Sequence, residues 1–130
     1  MHHPLPRDVI DRIAKEEQHF AHAPEAFFQA WKRGVVLAGP QWFGDGTHEG
    51  LQRATSEWEL RPNIQALIDA LSVLNHGQRL FLSAMVSFYN TTEGNAMLRR
   101  CGFQGLPALG GLDLQQRQVL ADLLLNYRGG

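Results

Sequence analysis

Six histidines are the first residues in this chain with chemistry to offer. His19 and His22 stand three apart behind Glu16, and a helix puts residues at that spacing on one side. Glu-x-x-His is half of the ligand set of a di-iron carboxylate bundle, which needs a second such pair on a facing helix. The chain has no second Glu-x-x-His. His19 and His22 also share a polar face with Asp11 and Lys15, so they read as solvated side chains. His48-Glu49 begins a His-Glu-x-x-His zinc pattern, but no second His follows at the required spacing.

Residues Asp45-Gly-Thr47-His-Glu49-Gly50 look like the opening of an EF-hand loop, with oxygen ligands at the first, third and fifth positions and glycine at the sixth. The twelfth position should carry a bidentate Glu and holds Ser56 instead. No metal or other cofactor is therefore expected. The nucleophile and phosphate signatures Gly-x-Ser-x-Gly, Gly-x-x-x-x-Gly-Lys and Gly-x-Gly-x-x-Gly do not occur. Cys101, the only cysteine, falls at a helix end and reads as a small packed apolar residue.

A different chemistry is offered by aromatics. Gly39–Gly50 contains four Gly and one Pro, which marks a loop, yet it carries Trp42 and Phe43. Large aromatics rarely stay exposed, so this pair either plugs the loop onto the fold or forms a recognition surface. In the second case Trp31, Trp42, Phe43 and Trp58 would line a small-molecule or cofactor pocket, with Asp45, His48 and Glu49 supplying polarity.

What must position these residues is a helical scaffold. Asn75 to Asn90 has no Pro, a good N-cap in Asn75, and apolar residues most of the way round the helical wheel. Leu80, Ala84 and Phe88 form one row, Phe81 and Met85 another, and Leu82, Val86 and Tyr89 a third. Arg79, Ser83, Ser87 and Asn90 share a narrow polar wedge. Such a helix must be covered on several sides. Strand is the alternative for Leu80–Tyr89, but the apolar residues do not alternate, and Ala84 and Met85 favour helix.

Other elements follow from spacing. Arg7 to Ala21 is helical, with Val9, Ile13 and Phe20 in one row, Ile10, Ala14 and Ala21 beside it, and Glu17 between them at the edge. Pro24 opens a second helix presenting Phe27, Phe28 and Trp31, which Gly34 ends. Pro62 to Leu74 carries Ile64, Leu67, Ile68, Leu71 and Leu74 on one face and runs into the central helix as a hairpin or bent pair. Thr91–Gly94 breaks the pattern before a short helix Asn95–Cys101, for which Gly102 is a suitable terminator. Phe103–Gly111 is a packed Gly-rich loop. The last helix starts at Asp113, which forms a capping box with Gln116. It buries Val119, Leu120, Leu123, Leu124 and Tyr127. Leu114 and Leu125 lie off that stripe and mark a second contact surface.

Composition sets outer limits. The chain has 130 residues, 44% of them hydrophobic, enough for one globular domain with its own core. Its formal charge is −1, without the basic excess of a nucleic-acid-binding domain. A helix-turn-helix over Pro62–Asn90 fails because its second helix is apolar where a groove reader must be polar. The central helix is too short to span a bilayer. Residues 1–6 read as an extended lead-in without the apolar run of a signal peptide, and the single cysteine fits a reducing compartment, so the cytoplasm is expected.

The expectation is thus an all-α fold: one domain over residues 1–130, a compact bundle of five or six helices around a central buried helix at about 76–90. The function read from it is non-enzymatic binding of another protein or of a second copy. The alternative is the pocket under the Gly39–Gly50 loop. Neither nucleic acid nor membrane is expected as a partner.

Overall fold

The computed structural model describes residues 5–129. Of the proposed lead-in, residues 1–4 lie outside them, and Pro6 is the extended N-cap of the first helix. The described residues form an all-α bundle of seven α-helices and short 3-10 turns. The helices are α1 Arg7–Ala21, α2 Ala23–Ala38, α3 His48–Arg53, α4 Ile64–Ala70, α5 His76–Tyr89, α6 Thr91–Arg100 and α7 Leu114–Asn126.

Helix α5 is the central one. Asn75 accepts from the Gln78 N–H at 2.9 Å, and the Gln78 side chain accepts from the Asn75 N–H at 3.1 Å, a reciprocal capping box. Every residue from Leu80 to Val86 is buried. That includes Ser83, which the wheel put on a polar wedge. Its hydroxyl donates to the Arg79 carbonyl at 2.7 Å, so the buried hydroxyl keeps a partner.

The cover on that wedge is α6. The sequence pattern treats Thr91–Gly94 as a break, but the helix begins at Thr91, capped by the Asn90 side chain on the Glu93 N–H. Gly94 is buried where α6 meets α5. Helix α5 thus pairs with the helix that follows it, and its other neighbours are α2 and α7. Helix α4 packs instead on the Pro40–Trp42 turn.

Gly34 likewise does not end α2, which continues to Ala38 and stops at Gly39 with φ 112°. Gly34 lies at the meeting of α2, α5 and α7. A Cβ there would stand 2.6 Å from Met85 Cε and 3.1 Å from Val119 Cγ1. A missing side chain lets the helices approach, and the helix runs through. Helix α7 packs along α2, and the Arg33 guanidinium reaches the Asp122 carboxylate at 2.7 Å. Its buried residues are Val119, Leu120, Leu123 and Asn126. Leu124 and Tyr127, expected in that stripe, are exposed.

Helix α1 departs furthest from expectation. It forms over the expected residues, yet none of them is buried.

Candidate functional site

The seven residues proposed for a pocket separate into different environments. Trp31 and Phe43 are fully buried and meet edge-to-face, ring centroids 5.8 Å apart. The Trp31 indole N–H donates to the Leu60 carbonyl at 2.9 Å. Trp42 is half-buried against the same core, and its carbonyl accepts from the Asn63 N–H at 2.7 Å. The Gly44 N–H donates to the Arg61 carbonyl at 2.8 Å, and Phe43 and Pro62 form an isolated antiparallel bridge. The aromatic loop is therefore sewn onto the segment before α4.

Asp45 is exposed and bonds within its own loop. Its carboxylate accepts from the Thr47 hydroxyl at 2.7 Å and the Thr47 N–H at 2.9 Å. Those two bonds, the hydroxyl first, hold the carboxyl below its ordinary value. Thr47 in turn caps α3 by accepting from the Gly50 N–H at 2.9 Å. The EF-hand-like spacing thus serves a turn and a helix cap. His48 and Glu49 occupy the first turn of α3 and face outward. The hollow beneath the loop, about 310 Å³, is lined by Gly44, Asp45, Gly50, Arg53, Glu59 and Arg61. Among the described residues, no three His, Cys, Asp or Glu side chains gather as metal ligands would.

Trp58 stands apart, 65% exposed, with the Arg61 guanidinium 4.8 Å from its ring centroid. It borders a shallow aromatic cleft with Phe27, Phe88, Tyr89 and Tyr127. Burial pushes the Tyr89 hydroxyl up from its ordinary value.

Two apolar surfaces lie open that the sequence did not mark as open. The first is the face of α1. Val9, Ile10, Ile13, Ala14 and Phe20 share one side of that helix, and Ile10 and Ile13 remain 48% and 41% exposed. Only its last turn is tied down. His19 Nε2 lies 2.9 Å from the Leu125 carbonyl, and Arg128 donates to the Phe20 carbonyl at 3.3 Å with its guanidinium over the Phe20 ring. The pattern of this helix was legible, but a pattern says which side is apolar, not whether anything covers it.

The second is a groove of about 520 Å³ between α5, α6, the 3-10 turn Leu106–Gly111 and α7. Phe88, Leu98, Phe103, Leu109 and Leu120 form its walls, with exposed Leu106 and Leu124 at the rim. Arg117 is the one charged residue among the described residues that line it. Its guanidinium holds the turn by donating to the Leu112 carbonyl at 2.9 Å and to the Gly110 carbonyl. The Ser87 hydroxyl is spent on the Ala84 carbonyl at 2.5 Å. Such a surface offers desolvation and one fixed cation, with no acid–base pair.

Leu114 and Leu125 are exposed on α7. Comparisons with protein-family models, with curated proteins and with solved structures found no match.

Proposed function

We propose that this chain is a non-enzymatic module that works by binding a polypeptide, either another protein or a second copy of itself. The observation that carries this reading is the uncovered apolar face of α1. An isolated helix of this length is marginal in water, and an amphipathic helix gains stability by laying its apolar side on something. Here its own chain provides that cover only at the last turn. The exposed Leu114 and Leu125 on α7 add to the apolar surface available to a partner.

The formal charge of −1 supports a polypeptide over a nucleic acid. No described helix is long and apolar enough to cross a membrane. A cytoplasmic setting fits the lone free cysteine, Cys101. A small apolar ligand is the second reading. It is favoured by the α5–α6–α7 groove, whose volume of about 520 Å³ lies in the range of small-molecule sites. The loop residues offered for that role share no such space.

Photo-crosslinking tests the main reading. A diazirine amino acid is placed at position 13, on the apolar face, and separately at position 18, on the polar face. Adducts to polypeptide from position 13 in the producing cells, well above those from position 18, are expected. Equal or absent adducts at position 13 would overturn the reading.

A further inference from the structure

We infer that α1 is a hinged arm held by a latch: the ends of α1 and α7 cap each other through His19 and Arg128, and release of that pair lets α1 swing about His22 while the bundle stays folded. The latch belongs to the free chain, whatever α1 docks on.

The last carbonyls of a helix find no donor within it. In α1 the Phe20 carbonyl is such a group. The residue four places on is Pro24, which has no N–H to give. The Arg128 guanidinium, from the residues after α7, supplies the donor at 3.3 Å. In α7 the Leu125 carbonyl lies in the last turn, and His19 Nε2 stands 2.9 Å from it. Each helix end therefore takes a polar partner from the other. A guanidinium at a helix C-terminus also suits the helix dipole. Arg128 has further company there. Its guanidinium lies 5.3 Å from the Phe20 ring centroid, and it shares a hollow of about 440 Å³ with Glu16 and Glu17.

The rest of the arm adds no such hold. Every residue from Ile10 to Gln18 is exposed, and no residue of α1 is buried. His22 alone joins α1 to α2, and its backbone leaves the helical angles at φ −104° and ψ −1°. Ala23, the next residue, is fully buried, so the fixed body begins directly after the hinge. Two exposed hydrogen bonds and one exposed cation–π contact are each weak. Opening them takes no apolar side chain out of the core, which is how one element comes to move separately from the rest.

Pulsed electron–electron distance measurement on the full chain tests this. Spin labels are placed through Asp11→Cys and Gln115→Cys, both at exposed positions, with Cys101→Ser to remove the native thiol. With the latch intact, one narrow distance distribution is expected. His19→Ala with Arg128→Ala should broaden it by about 8 Å, since a turn of about 30° at His22 carries position 11, about 16 Å along the helix, through that distance. Arg128→Ala alone should broaden it in the same direction. The helical circular dichroism and the urea midpoint should stay as in the unaltered protein. A double variant as narrow as the unaltered protein would overturn the latch, and so would an unaltered protein already as broad as the variant. A lowered urea midpoint would make α1 part of the bundle and overturn the hinge.

Discussion

A side chain on Gly94 would overlap the backbone of Ser87, so helices α5 and α6 touch main chain to main chain. This approach lets α6 roof the polar row of α5 and leave Ser83 fully buried. It also forms the inner wall of the groove, since Ser87 and Leu98 both line it.

Gly94→Ala should therefore destabilise the protein, although alanine is the better helix former. Overpacking of a close contact costs about 1–3 kcal/mol. Urea unfolding of the variant is expected to show a lower midpoint with an unchanged slope. A midpoint equal to or above that of the unaltered protein would mean that α6 has room to move away.

Trp31→Phe tests the anchoring of the aromatic loop. Phenylalanine keeps most of the ring but loses the N–H that meets the Leu60 carbonyl. An unsatisfied buried acceptor costs about 1–3 kcal/mol. The loss should appear in equilibrium unfolding, together with faster amide exchange at Asn63, whose N–H bonds the Trp42 carbonyl. Unchanged exchange there would separate the indole bond from the loop.

Adjacent residues at the start of α7 should behave oppositely. Asp113→Ala removes the side chain that accepts from the Gln116 N–H at 2.8 Å, and loss of such a cap costs about 0.5–2 kcal/mol. Leu114→Ala, at an exposed apolar residue, should stay within about 0.5 kcal/mol. If Leu114→Ala proved the costlier in dilute solution, that side chain would have a contact within its own molecule.

Asp45 gives the structure a small acid-side dependence. Its folded carboxyl titrates below the ordinary value of 3.8, chiefly through the Thr47 hydroxyl. The contribution is present above the unfolded value and fades as pH falls through the lower, folded one. Thr47→Val removes the hydroxyl and keeps the backbone N–H. The Asp45 carboxyl, followed by carbon-13 NMR, should then titrate closer to 3.8. No movement would assign the shift to the Thr47 N–H and the Arg53 guanidinium instead.

The elements legible in the sequence are those settled by neighbours in the chain. Helices α5 and α7 start where Asn75 and Asp113 stand three residues before a glutamine, and both capping boxes form. Gly34 and Gly94 resemble breaks because a glycine's role depends on what approaches it, and here that is Met85 and Ser87 on another helix. The unbroken burial of Leu80–Val86 follows from apolar residues on nearly every side, while burial of Ser83 needed knowledge of α6. In the candidate loop, glycine content marked the irregular segment. The contact of Trp31 with Phe43 and the short bonds of Asp45 to Thr47 depend on folding that a motif does not encode. The bare side of α1 and the groove were the least legible, since a pattern of apolar residues is the same whether or not anything lies against it.

The most direct test is the native mass of the protein in gently opened producing cells, compared with that of the Ile10→Asp, Ile13→Asp double variant. The chain alone is 14.6 kDa. If the apolar side of α1 is a docking surface, the unaltered protein runs in a species of at least about twice that mass and the variant runs as the folded monomer. If both run alone at 14.6 kDa, or both keep the larger mass, α1 does not hold a partner and the account fails.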